Sequence, residues 1–256
     1  MNQHSTDVRM AVRQGRLEAH FQPIVDLETG RFHALEARVR WSMPGELLTA
    51  RQALEQAAAR GQLMDLDFAV LERASADAAQ QHAMAMTPLP VAVNLAVRTV
   101  LDPHFLTRLE QSLDNSAVQA SAVRLEFPLD AFSSAQQLTR ERLRHVVALG
   151  FTAAVDHVGN ATVFDDLLAD LPLTAIKLDE ALILQLPHDA AACATVQGIV
   201  AAAARHGIPV GGEGIGRIEQ LNWLKEAGCA EGQGMLICRP APLKSLAFLL
   251  QRGRCW

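Results

Sequence analysis

Tyrosine is missing from all 256 residues, and aromatic residues make up only 5% of the chain. That absence assigns no chemistry, but the other shortages are more selective. Cysteine is sparse and scattered: Cys193, Cys229, Cys238 and Cys255 form no C-x-x-C pair. Structural zinc and a disulfide framework are therefore not expected, and a reducing cytoplasm is the expected location. No apolar run approaches the roughly 20 residues of a membrane span. The opening residues, Met1 to Asp7, are polar and lack the apolar stretch of a signal peptide. Positive charge is not in excess: the net charge is −5 and the pI about 6.0. A surface that coats DNA or another polyanion is excluded on that ground, so any nucleotide ligand must be held by a local site. Linkers are missing too, since Thr87-Pro88-Leu89-Pro90 and Leu186-Pro187-His188-Asp189 are only of turn length.

What is present is enough apolar material for one large core, with half of the residues hydrophobic and a fifth charged. Alanine-rich helical patterns at about 49–60, 64–86, 136–149, 189–206 and 217–228 separate short strand-like runs. The runs lie near 18–25, 32–41, 90–95, 122–127, 151–156, 174–178, 208–213 and 231–236. Alternation of this kind predicts an α/β fold with a mostly parallel sheet, and eight strands in this length favour closure into a barrel. Thr49 is placed to cap a helix that Gly61 can stop, while Gly150 and Gly207 end helices just before strands. Residues 1–17 read as a short N-terminal segment and 18–256 as a single barrel domain. A stand-alone domain is expected, because the N-terminal segment is too short for a sensor or a cyclase.

The strands end on residues a barrel core would not choose. Glu36, Asn94, Glu126, Asp156, Lys177, Glu213 and Gln233 each follow a short hydrophobic run. In a parallel barrel such residues gather at one mouth, where barrel enzymes place their sites. Several buried carboxylates at equivalent positions call for a compensating cation. Three carboxylates with an amide oxygen suit hard cations such as Mg²⁺, Mn²⁺ or Ca²⁺. Lys177 could stabilise developing negative charge or hold a water, and Glu213 and Gln233 could complete the shell. Metal-assisted attack of water on a phosphate ester is the chemistry these residue types suit.

The same residues carry a family pattern. Phe21-Gln22-Pro23-Ile24-Val25-Asp26, Leu35-Glu36-Ala37-Arg38-Val39-Arg40-Trp41, Val93-Asn94-Leu95, Leu125-Glu126 and Asp156 with Gly159 fall in order. Ile176-Lys177-Leu178-Asp179, Glu213-Gly214-Ile215, Gln233-Gly234 and Arg239-Pro240 follow. Over nearly its whole length the chain resembles bacterial EAL domains, the phosphodiesterases that linearise cyclic di-GMP. The resemblance implies a modified TIM (β/α)8 barrel with one antiparallel strand. It implies a metal held by Glu36, Asn94, Glu126 and Asp156, with His157 as a further candidate ligand. Lys177 and Glu213 take catalytic or supporting roles in that reading. Gln22, Arg40, Arg38, Gln233, Arg239 and Pro240 are the expected ligand contacts.

Departures from the pattern fall around the metal. The second aspartate of the family's Asp-Asp pair is His157, which removes charge and a hard oxygen ligand, so Mn²⁺ or Zn²⁺ is tolerated better than Mg²⁺. The glutamate expected three residues after Glu126 is Leu129, and the loop it would anchor reads Val158-Gly159-Asn160-Ala161. The signature leucine is Arg38, on the same strand face as Glu36 and Arg40. Its guanidinium could pair with Glu36 in the cation's place or grip a ligand phosphate. Gly216 replaces a further acid.

Plainer readings stand beside these. Asp165 and Asp166 read as a solvated first helical turn, and Met84 and Met86 as packing residues. His4, His20, His33, His82 and His104 show no ligand spacing and are read as background. Three functions remain open. The first is a degenerate EAL domain that binds cyclic di-GMP or a regulatory protein with little or no hydrolysis, using Ca²⁺ or another divalent ion for binding. The second is a slow Mg²⁺- or Mn²⁺-dependent phosphodiesterase giving linear pGpG. The third is an interaction barrel without nucleotide affinity. A homodimer is compatible with each, and membrane insertion with none.

Overall fold

Two long strands open the sheet. In the computed structural model, which describes residues 7–83, 88–114, 120–159, 167–168 and 171–256, β1 (Leu17–Asp26) runs antiparallel to β2 (Phe32–Met43). A short β3 (Glu46–Leu48) folds back on the end of β2. From β2 onward the sheet is parallel, through β4 (Val91–Asn94), β5 (Val123–Pro128), β6 (Thr152–Val158), β7 (Ala175–Leu178), β8 (Val210–Gly212) and β9 (Glu231–Gly232). β9 then pairs antiparallel with β1 and closes the ring. The result is the eight-stranded barrel that the strand pattern predicts, with the one antiparallel strand that the family resemblance implies; β3, attached outside it, is not among the expected strands.

Helices pack on the outside. Among the described residues they include α1 (Val8–Arg13), α2 (Ala50–Ala58), α3 (Leu63–Ala83), α4 (Val97–Leu101), α5 (Phe105–Asp114) and α6 (Leu129–Ala148). α7 (Glu180–Gln185), α8 (Ala190–Arg205), α9 (Ile218–Glu226) and α10 (Leu243–Gln251) follow. The sequence pattern places the sixth helix at 136–149, whereas α6 begins at Leu129. Ala135 explains the difference: its backbone is extended (φ −156°, ψ 72°), so only the stretch beyond it carries the helical pattern. The sequence pattern does not mark α1, α4, α5, α7 and α10; α1, α4 and α7 have too few turns to show a clear period, whereas α5 and α10 are as long as α2 and α9.

Helix ends follow local chemistry. Thr49 and Gln52 form a reciprocal capping box at the start of α2. Gly150 and Gly207 adopt φ of +95° and +67°, which lets the chain leave α6 and α8 and turn directly into the next strand. The main apolar core lies between the sheet and the helices, with Leu35, Val93, Leu125, Phe127, Val155 and Ile176 fully buried. A smaller cluster joins Val8 and Ala11 of α1 to Trp41 and to Ala53 and Ala57 of α2. Inside the barrel a third cluster joins Ile24 to two small residues, Ala34 and Ala92. Residues of the same strand parity continue from it toward the mouth, and there they are polar or charged: Gln22, Glu36 and Asn94.

Candidate active site at the barrel mouth

Strand register assembles the site. Gln22 lies opposite Glu36 across β1 and β2, and Asn94 is in register with Glu126 across β4 and β5. Between β6 and β7 the register slips: Val155 pairs with Ile176 and Val158 with Leu178, so Asp156 and His157 together face Lys177. This is a β-bulge, and it is where His157 takes a left-handed backbone conformation (φ +59°). The bulge keeps Asp156 buried and leaves His157 exposed at the rim.

Lys177 is the hub. Its Nζ donates to Glu126 Oε2 at 2.5 Å and lies 3.7 Å from both Glu36 Oε1 and Asp156 Oδ2. Glu36, 1% exposed, accepts from Asn94 Nδ2 at 2.5 Å, from Arg38 Nη2 at 3.0 Å and from Gln233 Nε2. Arg38 Nη2 also donates to Glu213 Oε1, bridging two strand-end acids. Of the two roles open to Arg38 in the sequence, the geometry shows the carboxylate pair.

Charge follows from these contacts. Burial pushes the Glu36 carboxyl upward, but Lys177, Arg38 and the amides of Gln233 and Asn94 outweigh it and hold the group at about 2. For Glu126 burial wins over Lys177 and Arg124 and raises the group to about 7. Burial likewise raises Glu213, with the charges of Glu36 and Asp156 adding to it against Lys177 and Arg38. Lys177 is opposed by burial, yet the surrounding carboxylates keep it well above the usual lysine range. At neutral pH it is an ammonium, able to donate to an anionic group or a water and unable to serve as a base.

The donor set fits a divalent cation. Glu126 Oε1 and Gln233 Oε1 are buried acceptors without a hydrogen bond. Asp156, His157 and Glu213 present donor atoms within 4.8 Å of one another. These three, with Glu36, Asn94 and Glu126 around Lys177, are the residues that would hold it. Bound there, a divalent ion supplies Lewis-acid polarisation of a phosphate ester.

The rim carries the expected ligand contacts. Gln22 is buried and donates from Nε2 to the Cys238 carbonyl at 2.9 Å, tying β1 to the segment that presents Arg239 and Pro240. Ala241 completes the tie through backbone hydrogen bonds with Phe21. Arg40 is half-buried, its Nη1 on the Val39 carbonyl at 2.9 Å, and Arg239 is exposed. Leu129 is buried in the main core at the start of α6. Gly216 is exposed and donates its N–H to Gln220 Oε1 at 3.0 Å. Asn160, Ala161, Asp165, Asp166, Met84, Met86 and His4 lie outside the described residues, as does the His82 side chain.

Two charged residues that the strand-end pattern does not include, Arg124 and Glu231, lie beneath the site. Arg124 places Nη2 3.3 Å from Glu126 Oε1, and its Nη1 meets Glu231 Oε2 at 3.1 Å. His33, read as background, places Nε2 2.9 Å from Glu231 Oε1. It occupies another bulge, between the pairs Ile24–Ala34 and Val25–Phe32. The available signal was parity: Arg124 and Glu231 each precede a predicted site residue by two positions and so share its strand face.

Comparison with known proteins follows the same outline. The chain is 32% identical over 253 residues to the cyclic di-GMP phosphodiesterase NbdA of Pseudomonas aeruginosa, covering 98% of this chain and 32% of that protein. It is 32% identical over 233 residues to the cyclic di-GMP phosphodiesterase PA2567 of the same organism, covering 91% and 40%. The chain thus spans only about a third of the length of these relatives. Among solved structures, the PaMucR phosphodiesterase in complex with c-di-GMP superposes with a TM-score of 0.87 at 26% identity, covering 95% of this chain and 99% of that one. The Xanthomonas citri FimX EAL domain in complex with c-diGMP shares the fold, with a TM-score of 0.81 at 18% identity and 92% of each chain covered. The family model for the EAL domain matches residues 5–240, a span that takes in every strand of the barrel and every residue of the acidic mouth, and the chain belongs to that family.

Proposed function

We propose that this EAL domain acts in cyclic di-GMP signalling as a binding module, taking the nucleotide at the barrel mouth with little or no hydrolysis. The observation that carries the reading is the internal neutralisation of the acidic centre. Lys177 pairs with Glu126 and Arg38 with Glu36 and Glu213, so the carboxylates attract a divalent ion less strongly than unpaired ones would. Gln22, Arg40, Arg239 and Pro240 are the rim groups assigned to the ligand, with guanidinium groups suited to phosphate. Kinship with proteins named as cyclic di-GMP phosphodiesterases supports the choice of nucleotide.

A slow phosphodiesterase giving linear pGpG is the second reading, and His157 favours it with Mn²⁺ as the metal. Its imidazole stands with Asp156 and Glu213 where a borderline ion gains more than Mg²⁺ or Ca²⁺ does. Calorimetry with cyclic di-GMP in Ca²⁺, paired with product analysis in Mg²⁺ and Mn²⁺, separates the two. The expected result is saturable binding with almost no pGpG; turnover comparable to an intact family member sinks the binding-module reading. Neither binding nor product leaves an interaction barrel for a protein partner. A cytoplasmic location accords with four free cysteines and with the lack, among the described residues, of a helix long and apolar enough to cross a membrane. A homodimer or a regulatory partner would be read from the mass of the complex by light scattering.

A further inference from the structure

Both carboxylate oxygens of Glu36 are engaged. Oε1 accepts from Asn94, and Oε2 accepts from both Arg38 and Gln233. Glu213 likewise gives Oε1 to Arg38. A lone pair engaged by a guanidinium is not available to a metal, and two cations at one carboxylate repel each other, so Arg38 and a metal compete for these groups. Arg38 is also placed to move: its side chain is 27% exposed, against 1% and 9% for the side chains of its acidic partners. Both bonds come from Nη2, while Nε is buried without a hydrogen-bond partner, so no bidentate fork holds the group.

We propose that Arg38 is a resident cation that competes with a divalent metal ion for Glu36 and Glu213, and that this competition weakens metal binding by the chain. The inference rests on the reading that the acidic mouth holds such an ion. It assigns to one residue a control that the remaining ligands do not exert. Arg38 lies two positions beyond Glu36 on the same face of β2 and is the more exposed of the two.

The test is calorimetric titration with Mn²⁺ alone, without nucleotide, on the whole chain and on Arg38→Leu, Arg38→Lys and Arg40→Leu. Arg38→Leu is expected to bind Mn²⁺ at least about tenfold tighter, the scale of one charge-assisted hydrogen bond no longer in competition. Its melting temperature should also rise more on Mn²⁺ addition. Arg38→Lys keeps the charge and should stay near the parent. Arg40→Leu removes an equal charge nearby and should change the affinity much less, which separates direct competition from a general field effect. Equal or weaker binding by Arg38→Leu overturns the proposal and leaves the metal site standing. Absence of Mn²⁺ binding in every variant overturns both. Melting curves confirm that each variant is folded, and Arg38→Gln replaces the leucine variant if that one is not. Because no nucleotide is present, the result stays readable even if cyclic di-GMP does not bind.

Discussion

Lys177 shows how much a single residue can hold. It is buried, and Glu36, Glu126 and Asp156 each place an oxygen within 3.7 Å of its Nζ. Replacing it by methionine leaves these acids facing one another in a low-dielectric barrel. Lys177→Met is expected to lose about 3–5 kcal/mol in urea denaturation at neutral pH, the usual cost of removing one partner of a buried pair. A loss below about 1 kcal/mol would mean that the carboxylates are already neutral or reached by solvent. At this scale the sequence was readable in kind but not in contact. Strand parity put Arg38 beside Glu36, yet its second partner, Glu213, is 175 positions away in the chain. Local pattern could leave two roles open for the guanidinium, and only folding chose between them.

Elements decide where those residues point. The bulge at Asp156 and His157 is one case, and the joint between α3 and α4 is another. Asp67 on α3 is 4% exposed and accepts the Ala96 N–H through Oδ2 at 2.7 Å, tying α3 to the residue that precedes α4, directly after the strand that ends in Asn94. Burial raises its carboxyl from an ordinary value of 3.8 to about 7, against that hydrogen bond. The sign follows from linkage. With the folded value above the unfolded one, the contribution to stability is complete below about pH 4 and is lost as pH rises toward 7. Asp67→Asn removes the titration and keeps an acceptor. Relative to the parent, the variant should gain on the order of a few kcal/mol between pH 4 and pH 7.5, measured by denaturant titration at both pH values. A constant difference would assign the burial no cost. Neither feature was legible beforehand. A bulge is a mismatch between two strands, and a hydrogen bond accepted by a side chain on another helix leaves no local motif. The break at Ala135 likewise hid the first turns of α6 from the periodic pattern.

Across the whole molecule, the mouth is one end of a polar column along the barrel. His33, Glu231, Arg124, Glu126 and Lys177 follow one another at 2.9, 3.1, 3.3 and 2.5 Å. Ala34 and Ala92, beside Ile24, leave room for it, since larger side chains at the two alanines would fill the axis. Arg124→Met should destabilise by several kcal/mol, because Glu231 and Glu126 lose a buried partner. Arg124→Met combined with Glu231→Leu should recover part of that loss. A double-mutant cycle is expected to give coupling above about 1 kcal/mol, and additive effects would show that the two residues do not act as a pair. His33 has a half-exposed side chain, so its loss of a partner should add little.

The amino-acid sequence by itself determined the α/β alternation, the order of the strands, the family and the set of polar residues that end the strands. Each of these depends on local period, local turn chemistry or residue identity, which neighbouring positions carry. The tertiary structure alone decided which cation meets which acid: Arg38 bridging Glu36 to Glu213, Lys177 on Glu126, and Arg124 linking Glu126 to Glu231. Those choices depend on barrel closure, on two register slips and on Coulomb energies that act over a few ångströms of space, whatever the separation along the chain.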